Sequence, residues 1–89
     1  MKMARRSGKE AQRMFRAMAV LLRNTTWKCG RVERLVVEYL GIHLRRQGTP
    51  WSSIKEMIQH FKLKGKQKSE FFDALRRLEK RRIIKIEGV

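Results

Sequence analysis

A mainly α-helical single domain with a minimal β element is the fold class this sequence predicts, and three patterns predict it. In the stretch SEFFDALRRLEKRRIIKIEGV, which begins at Ser69, Phe71, Leu75 and Leu78 recur at helical spacing. They then give way to Ile83, Ile84 and Ile86 interleaved with Lys85 and Glu87, the mark of a short strand. Val32, Leu35, Val36, Tyr39 and His43 form a second helical stripe, widened by Leu40, Ile42 and Leu44. Ile54, Met57, Ile58 and Phe61 obey the i, i+3, i+4, i+7 rule. With 89 residues the chain is long enough for one domain, and a core of that size is marginal.

Charge narrows the function class. Lys and Arg total 23 against 8 Asp and Glu, a net charge of +15. Self-repulsion on that scale destabilises a compact chain unless a polyanion neutralises it. Nucleic acid is the first candidate and an anionic membrane surface the second. The single cysteine, Cys29, excludes an internal disulfide, and with His43 and His60 far from it no zinc-ligand spacing exists. The longest apolar run, 17–22, is too short to span a bilayer and too short and late for a signal peptide, so an intracellular, cytoplasmic protein is expected.

The elements follow in order. Residues 1–6 form a basic arm carrying Lys2, Arg5 and Arg6. Ser7 and Glu10 have capping-box spacing and open an expected helix over 7–24, with Ala11, Met14, Phe15, Met18 and Leu22 on one face and Arg13 and Arg16 off it. Asn24 suits the C′ position that ends it. In the turn that follows, Thr25 or Thr26 is the expected cap, and Trp27 is expected in the core or as a lid over it, base stacking being the alternative. The helix expected over 31–47 has a stripe wide enough for contact on two sides, with the N-terminal helix as second neighbour and Gly41 marking a close helix crossing. Arg45 and Arg46 suit its C-terminal dipole, and Gly48 suits C′. After an extended link at 49–51, Ser53 and Glu56 have capping-box spacing for a helix expected over 52–62. The segment KLKGKQK, 62–68, holds four lysines in seven residues next to a helix N-terminus, where the dipole favours phosphate. A helix is expected over 68–82 and a strand over 83–87.

From Arg31 onward the order helix, short link, helix, turn, helix, strand resembles the winged helix-turn-helix superfamily. The most specific piece is ALRRLEKRRIIKIEG, which looks like the end of that family's third helix and its first wing strand. The resemblance covers about two-thirds of the chain and speaks to fold rather than to specificity. It implies a winged helix-turn-helix with an additional N-terminal helix and a truncated wing, the 68–82 helix being the recognition helix. Arg82 stands where the family usually has Gly, and the turn around Gly65 is longer than the compact form. No second wing strand is expected after Gly88, so 83–87 would pair with the link near Trp51 or with a partner.

No catalytic constellation is present. Gly8-Lys9 and Gly65-Lys66 lack the rest of a phosphate-binding loop, and no nucleophile–base spacing occurs. A non-enzymatic binder without cofactor, metal or small-molecule substrate is expected. Its candidate contacts are Arg5, Arg6, Arg13, Arg16, Arg45, Arg46, Lys62, Lys64, Lys66, Lys68, Ser69, Arg76, Arg77, Lys80 and Arg81. On DNA the third helix would enter the major groove, with Arg76 or Arg77 on guanine. Asp73–Arg77 and Lys66–Glu70 are, however, spaced as internal ion pairs on that face. Cations spread over every helix, the arm and the turn fit phosphates on several sides, as structured RNA presents them. The favoured expectation is therefore a component of a ribonucleoprotein such as the ribosome, with neighbouring proteins as further partners and no membrane. A small DNA-binding regulator or chromatin protein is the alternative, and a protein–protein adaptor the third reading.

Overall fold

The computed structural model describes residues 14–88. The described chain is mainly helical, with three helices and a three-stranded antiparallel sheet. Its elements run β1 (Met18–Leu21), α1 (Arg31–Gln47), β2 (Trp51–Ser53), α2 (Ile54–Phe61), α3 (Lys66–Lys80) and β3 (Ile84–Glu87).

The sheet corrects the expected N-terminal helix. Residues 14 and 15 are helical, but the chain turns at 16–17 and Met18–Leu21 is a strand. Ala17, Ala19 and Leu21 are buried while Met18 and Val20 are only partly so, the period-two alternation of a strand with one face on a core. Tertiary pairing overrides the helix propensity of Met, Ala and Leu here. Strand β1 is the middle strand: Met18 lies opposite Ser53 on one side and Glu87 on the other, and Val20 opposite Trp51 and Lys85. Strand β3 therefore pairs with β1 and not with the link near Trp51. Asn24 ends no helix; its side chain lies where a Cβ on Gly41 would meet it at 3.3 Å, so the close approach at Gly41 is to Asn24 rather than to a crossing helix. The first half of the expected helix, with its Ser7–Glu10 cap, lies outside the described residues.

Helices α2 and α3 bury the stripes that identify them, whereas α1 turns a shifted face inward: Leu35, Ile42 and Leu44 of its expected stripe are exposed, Val32, Tyr39 and His43 are half-buried, and contact on two sides is not found among the described residues. Val36, Val37 and Leu40 of α1, Ile54, Met57 and Ile58 of α2, and Phe71, Leu75 and Leu78 of α3 meet Ala19, Leu21, Ile83 and Ile84 in one core. Helix α1 starts at the Gly30 cap rather than at Thr25 or Thr26, and Glu33 Oε1 accepts from the Gly30 N–H at 2.7 Å. It ends at Gly48 with φ 76°, whose N–H donates to the Leu44 carbonyl. Helix α2 is capped by Ser53, whose Oγ accepts from the Glu56 N–H at 3.0 Å; the residues before it, Trp51–Ser53, are strand. Helix α3 starts at Lys66 rather than 68 and stops at Lys80 rather than 82. Arg82 takes the left-handed conformation at φ 58°, the place of the usual glycine. The N–H groups of Arg82 and Ile83 donate to the carbonyls of Glu79 and Leu78, so a Schellman-type closure forms with arginine in it.

Candidate nucleic-acid interface

The 62–68 turn is shaped by two left-handed residues. Lys62 closes α2 at φ 54°, with Leu63 folded under it as a half-buried plug and its N–H on the Ile58 carbonyl. Gly65 has φ 55° and ψ −123°, a region that glycine alone enters readily. The N–H groups of Gln67 and Lys68 donate to the carbonyls of Lys64 and Gly65 at 3.0 Å, and the Lys64 N–H to Gln67 Oε1 at 3.2 Å. The start of α3 therefore offers an anion dipole and charge more than a cradle of amides. No side chain caps α3, and no acid lies in its first turn. Lys66 and Lys68 stand there against the dipole, at a cost of about 0.3–1 kcal/mol each. Lys62, Lys64, Lys66, Lys68 and Ser69 are exposed and in no ion pair among the described residues, and the expected Lys66–Glu70 pair does not form.

The outward face of α3 is partly committed to the protein itself. Asp73 pairs with Arg76 at 3.9 Å, not with Arg77. Arg77 Nε donates to Glu33 Oε2 at 2.6 Å, tying α3 to the first turn of α1. The Glu33 side chain is 8% exposed and that of Arg77 59%. Burial would push the Glu33 carboxyl up, but the Gly30 N–H, the Arg77 hydrogen bond and the charges of Arg77 and Arg81 outweigh it and hold the group below the ordinary glutamate value. Arg81 donates from Nη2 to the Trp27 carbonyl at 2.8 Å and from Nη1 to the Lys28 carbonyl at 3.1 Å. Two of the candidate contacts, Arg77 and Arg81, thus hold α3 against the chain around α1's start. Lys80 is exposed and outside any ion pair among the described residues.

The remaining candidates are distributed. Arg45 and Arg46 are exposed in the last turn of α1. Arg46 lines a groove of about 450 Å³ with Tyr39, Ile42, His43, His60 and Phe61, which brings it to the side of α2 that leads into the lysine turn. His43 stacks on Tyr39 and is half-buried. Arg16 is exposed just before β1. Arg5, Arg6 and Arg13 lie outside the described residues.

Two features escape the sequence reading. Glu33 becomes a buried anchor, legible only as an acid at the third helical position. Trp27, expected in the core or as a lid over it with base stacking as the alternative, is 68% exposed. Among the described residues no group of His, Cys, Asp and Glu could hold a metal ion, and no helix is long and apolar enough to cross a membrane. Compared with known proteins, the chain matches no family model, no curated protein and no solved structure.

Proposed function

We propose that this chain is a non-enzymatic nucleic-acid-binding protein that engages structured RNA through its backbone, as a component of a ribonucleoprotein. The observation that carries the reading is the start of α3, where Lys62, Lys64, Lys66 and Lys68 are exposed without ion pairs among the described residues and no acid or side-chain cap balances the helix dipole. Lys62 adds backbone strain to charge repulsion, because a left-handed lysine is less stable than glycine there. A bound phosphate chain relieves both the repulsion and the dipole conflict.

The winged-helix reading of the fold belongs with this proposal. Strand β2 between α1 and α2, and β3 after α3, stand where the family's first strand and first wing strand would stand. Strand β1, arriving from before α1, is no part of the resemblance and lies between those two strands. A winged helix that reads DNA through α3 is the second reading, and exposed Ser69, Arg76 and Lys80 favour it. Against it, Arg77 is engaged by Glu33 and Arg76 approaches Asp73, which leaves little of that face for base edges. Purification of the native complex followed by nuclease treatment separates the two. Release by RNase alone is the expected result; release by DNase alone would favour the DNA reading, and retention after both would remove the proposal.

A further inference from the structure

Trp27 is the most exposed large apolar side chain among the described residues, although an indole gains free energy by burial. Its turn is nonetheless firmly held. The Trp27 N–H donates to Thr25 Oγ1 at 3.2 Å, and the Cys29 N–H to the Thr26 carbonyl at 3.1 Å. Cys29 is buried in the core. Arg81 bridges the carbonyls of Trp27 and Lys28 from the end of α3 and lies 3.6 Å from Cys29 Sγ. Lys28 is left-handed at φ 56°, and its Nζ sits over one face of the indole, 4.7 Å from the ring centre, so that a base would stack on the opposite face. The backbone is pinned from both sides while the ring is turned out to solvent, a preorganised arrangement that lowers the ordering cost of binding.

We infer that the 25–30 turn is a base-stacking platform, in which Trp27 receives one unpaired nucleobase and Lys28 faces the adjoining phosphate. The inference rests on the nucleic-acid reading above and names the part of the ligand that this site takes. Charge selects the partner. From Asn24 to Arg34 the chain carries Lys28, Arg31 and Arg34, and its one acid, Glu33, is buried against Gly30 and Arg77. A flat π-face joined to a negative charge is complementary to an indole that carries a lysine ammonium over its other face, and a nucleotide supplies both. The base must be unpaired, because within a duplex both faces are already stacked; loops, bulges and single strands expose them. Arg81 acts here as a positioning residue, through the two carbonyls it holds.

The test uses the full chain with Trp51→Phe, so that Trp27 is the one tryptophan. It is titrated with a single-stranded RNA and with the same RNA annealed to its complement. The expected result is quenching of Trp27 emission by the single strand. Trp27→Ala, which has no tryptophan left and is compared with the parent through the anisotropy of an end-labelled RNA, should bind the single strand about 5- to 150-fold more weakly, the range of one base–aromatic stack. The same variant should bind the duplex within about twofold of the parent, and Trp27→Phe should recover part of the loss. Circular dichroism of each variant establishes that it is folded. If Trp27→Ala binds the single strand as the parent does, the platform is refuted and the backbone-binding reading stands. If the parent binds neither RNA, that reading fails and takes the platform with it.

Discussion

Helices α2 and α3 begin by opposite means. At the start of α2, Ser53 Oγ takes the Glu56 N–H, Glu56 supplies the acid that a helix N-terminus favours, and buried Ser52 donates to Glu56 Oε1 at 3.3 Å. At the start of α3 the cap is Gly65, the first turn carries Lys66 and Lys68, and no acid is present. Both helices bury their apolar faces in the same core, so packing does not explain the difference. The first start is completed by the chain's own groups; the second is left positive. The difference teaches that the α3 start is not the one that favours the free fold, and the proposed phosphate partner would make it favourable.

Changing the lysines sharpens the comparison most. Replacing Lys64, Lys66 and Lys68 together with Gln should make the slope of log affinity against log salt shallower by about 2–3, since each phosphate contact contributes about 0.7–0.9. The fold should be unharmed, and a thermal melt checks that. Breaking the internal anchor comes next. Arg77→Ala leaves the buried Glu33 carboxylate with the Gly30 N–H and the charge of Arg81 and should destabilise the protein by about 1.5–3 kcal/mol in urea unfolding. Lys80→Ala, on the same helix, should stay within about 0.5 kcal/mol. Because the Glu33 pKa is lowered in the folded state, its contribution is fully present above the unfolded value, about 4.3. It is lost as pH falls through the folded value. The stability gap between wild type and Glu33→Gln should therefore narrow below about pH 4, as urea midpoints across pH 3–6 would record.

The helix starts themselves give the smallest effects and opposite signs. Ser53→Ala should cost about 1 kcal/mol of stability, the usual value of a lost cap. Lys66→Glu should instead stabilise the free protein by about 0.3–1 kcal/mol while weakening RNA binding. A Lys66→Glu variant that binds as tightly as wild type would show the two starts to be functionally equivalent.

How much of this is legible in the sequence differs by element. The three helices are readable because their stripes repeat over several turns, and the 84–87 strand because isoleucines cluster after a basic turn. Strand β1 is not readable. MAVL suits a helix as well as a strand, and only its place between two edge strands decides, which is long-range information. The lysine turn is readable from charge density. The commitment of Arg77 to Glu33 is not, because those residues are 44 positions apart and meet only through the crossing of α1 and α3. Trp27 misleads for a related reason: its turn is fastened by Arg81 from the far end of the chain, which frees the ring from any need to pack.

Affinity for a structured RNA, measured across a series of salt concentrations, tests the central claim most directly. The four lysines of the 62–68 turn predict a slope of about −3 or steeper for log affinity against log salt, at roughly 0.7–0.9 per phosphate. A slope near zero would contradict an interface built on phosphate.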